Sequence, residues 1–356
     1  MPKLSAAEEQ IFAAIKDKDI NKVRSIISSN ERINLNCMDE DELTPLQHAC
    51  HTGNYELAKL LIDLGADVNF TGRQDGYTPL MFAALGNREP IVRMLLEHGV
   101  DTKVENCVYR TAAQMAAFVS CQRVVTLMNN WILYKESVEP YTRCRELEDK
   151  PRLELPRLGR TLHDYIVYPY LHPVKLLFYI RDNRDLVEYA QSFIYVLENL
   201  SSKMIKPPKN DESQALRLHY LAYLIEHCRK NQPKSIDSLV RQLIKREYMK
   251  DTFYNTTPQI DHFIMECLMK FPYTQSAIFK TLTYALTRRG PDEFNALNVL
   301  FQTLNGPRMY AAPAEACIVC VGSERTRRCS RCKSVYYCDP SCQKADWFQH
   351  KKDCTE

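Results

Sequence analysis

The residues with the clearest chemistry are eight possible metal ligands near the end of the printed sequence. Seven cysteines and one histidine follow one another in the order Cys317, Cys320, Cys329, Cys332, Cys338, Cys342, His350 and Cys354. A Cys-x2-Cys turn brings two sulfur atoms within reach of one ion, and ligands four residues apart lie on one face of a helical turn. Eight such ligands predict two tetrahedral Zn²⁺ sites. The spacing alone leaves open which ligands share an ion.

A zinc segment of this kind can serve catalysis, nucleic-acid binding or structure. A catalytic zinc keeps one position for water or substrate, whereas eight protein ligands fill two sites, which favours a structural role. Clustered basic residues can contact phosphate, but zinc-bound thiolates also need cationic neighbours, and no C2H2 spacing provides a reading helix. The basic residues are Arg325, Arg327, Arg328, Arg331, Lys333, Lys351 and Lys352. We therefore favour structural zinc that builds a protein-binding surface, and we rank nucleic acid well behind it.

The segment YCDPSCQKADWFQHKKDC (337–354) resembles the second half of a MYND zinc finger, with the run Y-C-x3-C-Q-x3-W-x2-H-K-x2-C intact. About 38 residues are too few for a hydrophobic core, so metal has to take its place. The resemblance implies two interleaved sites. One zinc ion is then held by Cys317, Cys320, Cys338 and Cys342, and the other by Cys329, Cys332, His350 and Cys354.

MYND fingers usually bind short proline-containing peptides, and the resemblance carries that expectation to five residues of this chain. They are Ser334, Val335 and Tyr336 along a hairpin edge, and Gln343 and Trp347 after the sixth ligand. An added strand supplies backbone hydrogen bonds, and an indole offers a flat apolar platform for a proline ring. The alternative is that Trp347 forms the small core of the finger. The two roles do not exclude each other, and we favour binding.

The first third of the chain repeats itself with a period near 33 residues. The stretches LTPLQHACHTGNYELAKLLIDLGADVN and YTPLMFAALGNREPIVRMLLEHGVDTK place Thr44 and Thr78 34 residues apart, and a third copy places Thr111 another 33 residues on. Thr44 and Thr78 are predicted to cap helices, and the proline after each suits the first helical turn. The third copy has Ala112 in place of the proline, and an earlier copy lacks the Thr-Pro-Leu opening.

This T-P-L-x-x-A pattern resembles the ankyrin repeat family, which implies about four helix pairs over residues 5–137. Gly53 and Asn87 are expected in the tight turns between paired helices, because both tolerate a left-handed backbone. The resemblance implies protein binding on the concave face made by turn tips and first helices. On this chain that face includes Glu42, His51, Tyr77, Met81 and Leu85. For any one of them alone, an ordinary exposed residue is the simpler interpretation.

The middle of the chain predicts a helical domain whose role the sequence does not reveal. Residues 138–158 are charged and proline-containing and are expected to form a linker. Residues 159–308 carry helical periodicity without strand-like alternation, which predicts about six or seven helices. The five histidines of this part show no metal-binding spacing and are expected to pack between helices or lie at the surface. They are His163, His172, His219, His227 and His262.

Composition is that of an ordinary globular protein in a reducing compartment. A length of 356 residues predicts two or three folded units, and a net charge of +3 is weak support for nucleic-acid binding. Of the 14 cysteines, seven lie in 317–354 and the others are scattered, which favours reduced thiols and a cytosolic location. The apolar run PVKLLFYI is far shorter than a membrane span, and the N-terminus lacks a signal-peptide pattern. We therefore expect no membrane insertion.

The whole chain resembles the ankyrin repeat and MYND domain-containing protein 2 family. The order of parts and the phrases RTAAQMAAFV, LHPVK and KFPY carry this resemblance. It implies a mainly α fold: an N-terminal ankyrin-repeat stack, an α-helical middle domain and a small two-zinc MYND finger at 317–354. It further implies a cytoplasmic adaptor that brings membrane signalling proteins, such as nucleotide cyclases, to the cilium, with those proteins or a co-chaperone as partners. Members often continue past the finger, so an extension after Cys354 is also expected.

Two other function classes stay open from the sequence. One is a transcriptional co-repressor adaptor, because some MYND fingers recruit such complexes, although the chain shows no separate DNA-binding domain or basic localisation run. The other is a MYND-containing lysine methyltransferase, whose SET domain carries an N-H-S-C-type signature that the sequence lacks. We therefore expect no catalytic residues and no small-molecule substrate, and we favour an adaptor over both alternatives.

Overall fold

The computed structural model of the chain is mainly helical, which confirms the predicted fold class. Contacts divide the chain into two compact units, Met1–Leu133 and Tyr134–Glu356. Within the part of the chain that is described, every helix is too short or too polar to cross a bilayer. The described residues are 4–17, 19–29, 33–71, 75–143, 156–232, 235–246, 257–287, 296–306, 315–322 and 326–355.

The first unit contains four helix pairs arranged in two layers. Its helices are α1 (Ala6–Lys16), α2 (Ile20–Ser29), α3 (Pro45–Thr52), α4 (Tyr55–Asp63), α5 (Pro79–Leu85), α6 (Glu89–Glu97), α7 (Ala112–Phe118) and α8 (Gln122–Asn129). The first helices contact one another in the order α1, α3, α5 and α7, and the second helices in the order α2, α4, α6 and α8. Each pair therefore buries apolar faces against its neighbours as well as between its own two helices.

Three threonines start the first helices of the last three pairs. The hydroxyl oxygen atoms of Thr44 and Thr78 each accept a hydrogen bond from the amide three residues later, at 3.2 Å, and Thr111 does the same at 3.4 Å. These bonds satisfy amides that have no carbonyl partner at a helix start. Ala112 shows that the proline is not required once the threonine cap is present. The predicted capping role of Thr44 and Thr78 is confirmed, and Thr111 takes the same role in the last pair.

The turns inside the helix pairs adopt a left-handed backbone at equivalent positions. Gly53 has a φ of 82° and Asn87 a φ of 52°, which confirms the turn residues predicted from the sequence. Ser120 takes the same place in the last pair with a φ of 62°. A serine in this conformation costs about 1 kcal/mol relative to glycine, so the last pair keeps its turn in spite of an unfavourable residue.

Gln47 ties two successive pairs together. Its side-chain oxygen Oε1 accepts a hydrogen bond from the Thr44 backbone amide at 2.9 Å, which completes a reciprocal cap with the threonine. Its side-chain Nε2 donates to the carbonyl oxygen of Tyr77 at 2.9 Å, in the turn tip that opens the next pair. The side chain is buried, so both bonds are shielded from water. One amide side chain thus fixes a helix start and the spacing between two pairs.

We predict that Gln47→Ala lowers the free energy of unfolding by about 1–3 kcal/mol, because it leaves buried backbone groups without partners. Gln114→Ala is the matched control, since Gln114 forms the same reciprocal cap with Thr111 but is exposed. Urea unfolding of the full chain, followed by far-ultraviolet circular dichroism, measures both. Equal losses in the two variants would show that the bond to the Tyr77 carbonyl adds nothing.

The second unit contains eleven helices before its zinc segment within the residues described. They are α9 (Tyr134–Ser137), α10 (Glu139–Arg143), α11 (Pro156–Ile166), α12 (Pro173–Asp182), α13 (Asp185–Glu188), α14 (Ala190–Ile205), α15 (Glu212–Lys230), α16 (Ile236–Leu243), α17 (Pro258–Met269), α18 (Ala277–Thr287) and α19 (Ala296–Asn305). The zinc segment contributes β1 (Arg327–Arg328), β2 (Tyr336–Tyr337) and α20 (Pro340–Asp353), and β1 pairs antiparallel with β2.

The predicted helix count and linker differ from these elements. Nine described helices, α11 to α19, replace the six or seven predicted, because short helices such as α13 leave little periodicity in a sequence. The predicted linker 138–158 begins at the turn between α9 and α10 and ends within α11, and its residues 144–155 lie outside the described part. The helical middle and the zinc segment fall within one compact unit. The four-part boundaries predicted from the sequence stay a prediction.

Helix α15 positions the segment of the chain that leads into α12. It is buried on all sides, and Arg217 donates from one guanidinium nitrogen to the carbonyl oxygens of Ile166 at 3.0 Å and Tyr168 at 2.8 Å. The hydroxyl of Tyr220 donates to the Leu171 carbonyl at 3.0 Å. These bonds fix the chain just before α12. Helix α12 contacts α16, and α16 in turn contacts α20.

Candidate metal centre and interaction surfaces

The first ligand cluster gathers four sulfur atoms from three places in the chain. Cys317 and Cys320 lie in a turn closed by a 2.8 Å bond from the Val321 amide to the Cys317 carbonyl. Cys338 follows β2, and Cys342 lies in the first turn of α20. The four sulfur atoms lie within 4.8 Å of one another, and neighbouring pairs are 3.4 and 3.6 Å apart. A tetrahedral Zn²⁺ with bonds of ~2.3 Å needs sulfur atoms about 3.8 Å apart, so the cluster fits the ion.

The second cluster combines three sulfur atoms with one imidazole nitrogen. The ligand atoms of Cys329, Cys332, His350 and Cys354 also lie within 4.8 Å of one another. The Cys329 and Cys354 sulfur atoms are 3.8 Å apart, and the His350 Nε2 atom is 3.4 Å from the Cys329 sulfur. The hydroxyl of Ser334 donates to the Cys332 sulfur at 3.0 Å and lowers the pKa of that thiol to about 6. This bond favours the thiolate, which is the form that binds zinc.

The two clusters are interleaved along the chain, because the segments of one alternate with those of the other. Each cluster provides four protein ligands, which completes the coordination of a structural zinc ion and leaves no position for a substrate. The chain thus has sites for two structural zinc ions. The binding of the ions through these particular atoms is the prediction tested below.

Helix α20 is held against the helical part of the same unit by a buried carboxylate that the sequence analysis missed. Asp346 is 0% exposed and accepts hydrogen bonds from the Tyr337 hydroxyl at 2.7 Å and from an Arg246 guanidinium nitrogen at 2.9 Å. Gln349, one turn from Asp346, donates to the Ile244 carbonyl at 2.9 Å and accepts from the Arg246 amide at 3.1 Å. Nothing local in the sequence marks Asp346 as buried, because an aspartate on a polar helix is usually exposed.

A second contact joins the start of α20 to α12. Lys175 is buried, at 7% exposed, and its ammonium group forms an ion pair with Asp339, the N-cap of α20. Burial alone would lower the pKa of Lys175, but the sulfur atoms of Cys320 and Cys342 and the Asp339 carboxylate outweigh it and raise the pKa. Lys175 therefore stays charged beside the first cluster. It belongs to the LHPVK phrase, whose contact with the zinc segment the sequence did not indicate.

The predicted peptide-binding residues lie on the accessible side of the finger. Ser334, Gln343 and Trp347 are exposed, whereas Val335 and Tyr336 are partly buried. Gln343 and Trp347 are one turn apart on α20 and are exposed, whereas Asp346 on the same helix is buried. Trp347 is 42% exposed, and its ring also lies 5.9 Å from that of the ligand His350. This geometry leaves the indole available as a platform while it supports the second cluster.

Backbone carbonyl groups at β2 already accept hydrogen bonds from two other segments of the finger. Its Tyr336 carbonyl accepts from the Ile318 amide at 3.0 Å, and the preceding Val335 carbonyl accepts from the Cys329 amide at 2.8 Å. Peptide binding by strand addition at this hairpin stays a prediction.

Of the basic residues noted from the sequence, Arg327 and Arg328 are exposed on β1, and Arg325 lies outside the described residues.

Four of the five predicted residues on the repeat surface are accessible to some degree. His51 is exposed, and Glu42, Tyr77 and Leu85 are partly buried. Met81 is a correction, because its side chain is 0% exposed. It occupies the third position after the capping threonine, where Gln47 is also buried, so this position faces the neighbouring helix pair. Met81 is a core residue and does not form part of a binding surface in this structure.

The most exposed large apolar side chains among the described residues of the first unit lie in its last helix pair and in the turn before it. Phe118 is 73% exposed and Tyr109 is 81% exposed. Phe118 lies seven residues after Thr111, the position that His51 and Leu85 hold after their own threonines. Aligning the copies on the threonine would have predicted this residue, but the missing proline made the last copy look degenerate.

Comparisons with known proteins match the two ends of the chain to two families. The family described as Ankyrin repeats (3 copies) matches residues 11–106, and the family described as MYND finger matches residues 317–354. The pair α7 and α8 lies beyond the first range but continues the same stack. The two matched ranges do not include the helices between them.

Individual relatives divide into one long match and several short ones. The chain is 28% identical to Dauer abnormal formation protein 25 of Caenorhabditis elegans over 98% of its own length and 91% of that protein. It is 37% identical to N-lysine methyltransferase SMYD2 of Rattus norvegicus over 14% of each chain, a similarity confined to the finger. It is 36% identical to Ankyrin repeat and KH domain-containing protein mask of Drosophila melanogaster over 28% of this chain and 2% of that protein.

We predict that the full chain binds two zinc ions and that single ligand changes remove them one cluster at a time. Cys317→Ala should lose the four-sulfur site, and Cys329→Ala the site with one nitrogen, so each variant keeps one ion in excess zinc. Cys107→Ala is the control, since Cys107 is exposed and lies in neither cluster. Elemental analysis gives the metal content, and the visible spectrum of the Co²⁺ form reports the ligand set. A nitrogen-containing site surviving in Cys329→Ala would contradict the grouping.

Proposed function

Because the chain joins ankyrin repeats to a C-terminal MYND finger, we propose that it is a non-catalytic adaptor with two protein-binding surfaces. Both kinds of module are interaction modules. The observation that carries the proposal is the complete ligand set of each zinc cluster, which leaves the metal a structural role and leaves the exposed side chains to act on partners.

The surface on the MYND finger centres on Trp347 and Gln343. An indole that is 42% exposed and held from behind by the His350 ring is a rigid aromatic anchor. Aromatic anchors of this kind account for much of the binding energy at interfaces. The side-chain amide of Gln343, one turn away, can bond the backbone of a bound peptide. These features support a proline-containing peptide as the partner.

The surface on the ankyrin repeats is formed by the seventh residue after each capping threonine together with nearby aromatic rings. His51 and Phe82 form an edge-to-face pair at 6.1 Å, and Tyr77 lies 5.6 Å from Phe82. Phe118 extends this row into the last pair, where Arg110 lies over its ring at 5.0 Å. A row of aromatic side chains that are exposed or partly exposed supports a protein partner rather than a charged polymer.

The finer proposal is that the partners are membrane signalling proteins, such as nucleotide cyclases, or a co-chaperone, and that the adaptor works in the cytoplasm and delivers clients to the cilium. It rests on the resemblance to the ankyrin repeat and MYND domain-containing protein 2 family and on the similarity to a nematode protein along almost the whole chain. The similarity to a lysine methyltransferase gives no support to catalysis, because it covers the finger alone.

We predict that Trp347→Ala weakens peptide binding by about 30-fold, which corresponds to an interface hot spot of ~2 kcal/mol, and leaves two zinc ions per chain. The probe is an array of proline-containing peptides incubated with the zinc-loaded full chain, with titration of those bound. Tyr284→Ala is the control, as a change of an exposed aromatic residue on α18.

Gln343→Ala is the companion variant, because Gln343 is exposed and its substitution leaves the ring beside His350 in place. It should weaken the same peptides without changing metal content. Loss of zinc in Trp347→Ala together with full peptide binding by Gln343→Ala would show that Trp347 is only the core of the finger. Failure of the wild-type chain to bind any peptide on the array would overturn the peptide-binding role.

We further predict that Tyr77→Ala combined with Phe118→Ala removes a separate set of partners from the full chain in ciliated cells. Proteins co-purifying with wild type, this double variant, Trp347→Ala and Tyr55→Ala are compared by mass spectrometry. Tyr55, on α4, provides an exposed aromatic control outside the row. Membrane cyclases or ciliary transport proteins lost from one variant support the adaptor. Chromatin regulators that depend on Trp347 would replace ciliary delivery with a co-repressor role.

A further inference from the structure

The helical part of the second unit reaches the zinc finger through a set of charged and buried contacts, here called the docking contact. On the helical side it consists of Lys175, Arg181, Ile244 and Arg246, and on the finger side of Asp339, Ser341, Asp346 and Gln349. Cations on one side meet carboxylates on the other, at the start and in the middle of α20. Neither the MYND finger nor the helices alone contain both halves.

Lys175 acts at the first cluster through Asp339. The Asp339 carboxylate accepts from the Cys342 amide at 2.9 Å and so caps α20 at the turn that carries a ligand. It also lies 3.4 Å from the sulfur of Cys338, a second ligand. A Zn²⁺ ion with four thiolates has a net charge of −2, which is costly to bury without a nearby cation. A buried ammonium beside this cluster both offsets that charge and fixes the cap.

Arg246 acts at the second cluster through Asp346. The Asp346 carboxylate lies one turn before His350 on α20 and accepts from Tyr337, whose ring is 6.1 Å from the His350 ring. The Arg246 guanidinium forms an ion pair with this carboxylate, which is 0% exposed. Gln349 joins the same group, because its Nε2 atom donates to Asp346 at 2.8 Å. The carboxylate that bonds Tyr337, the neighbour of the imidazole ligand, is thus itself held from the helical part.

We propose that Lys175 and Arg246 are positioning residues of the two zinc sites, each supplied by the helical part and each acting through one finger carboxylate. Partners around the ligands commonly change metal affinity by 10- to 100-fold when they are removed. Zinc binding and docking then stabilise each other. The ions order α20, the ordered helix presents Asp339 and Asp346 in register, and the two cations hold it there. This inference does not depend on which partners the finger binds.

The test measures zinc release from the zinc-loaded full chain into excess of a coloured chelator. Lys175→Met is expected to speed release from the four-sulfur site about 10-fold or more, with little effect on the other site. Lys175→Arg should recover most of the slow release, because it restores the cation. Lys203→Met is the control. The ammonium group of Lys203 lies over the ring of Tyr141 at 4.9 Å, and Lys203 takes no part in the docking contact.

Arg246→Met should give the opposite selectivity and speed release from the site that contains His350. Arg229→Met is its control, because Arg229 forms an ion pair with Glu226 away from the finger. The Co²⁺ form assigns each release phase, since the visible spectra of the two ligand sets differ. A general loss of stability would speed both phases in each variant, so the crossed pattern distinguishes positioning from unfolding.

Asp339→Asn tests the same link from the finger side and guards against misfolding of the helical variants. Asparagine keeps the N-cap but removes the charge. If Lys175 acts through Asp339, adding Lys175→Met to Asp339→Asn speeds release far less than it does in wild type. Independent, multiplicative effects of the two changes, or wild-type release rates in Lys175→Met and Arg246→Met, would overturn the proposal.

Discussion

The fold of the finger depends on the meeting of eight ligand atoms at two points. A segment of this size has too few buried apolar side chains to fix two short strands and a helix against one another, so coordination does the work of a core. Interleaving strengthens this effect, because each cluster combines ligands from a loop on one side of β1 with a ligand from α20. Once α20 is fixed, one of its faces carries the ligands and the buried carboxylate, and another carries the exposed indole. The position of every feature of the finger discussed above follows from that orientation.

The ligands could be predicted from the sequence because they are marked by local spacing. Cys-x2-Cys turns and residues four apart on a helix are visible within a few positions, and cysteine has few other uses in such a cluster. The docking contact has no local mark. Lys175 and Asp339 are 164 residues apart, and Arg246 and Asp346 are 100 apart. Lysine, arginine and aspartate are ordinary surface residues, so only the tertiary structure shows that these four form two ion pairs, each with one buried member, Lys175 or Asp346.

The repeats show the same division between local and long-range information. Helix caps and left-handed turns were predictable, because threonine, glycine and asparagine act on the backbone next to them. Exposure was not, since it depends on the neighbouring pair. Met81 was assigned to the surface because its repeat position was judged without the next helix in place. Phe118 was overlooked for a related reason, as its copy had lost the proline while its threonine still started the helix.

The docking of α20 has a consequence for the thermodynamics of recognition. A finger that moved freely on a tether would lose rotational and conformational entropy each time it captured a partner. Here that entropy is lost once, when the chain folds, because ion pairs at the start and in the middle of the helix fix its rotation about its axis. Under the proposed function, the indole then meets an incoming peptide as a preorganised surface, and the helical part of the unit contributes to affinity without touching the ligand.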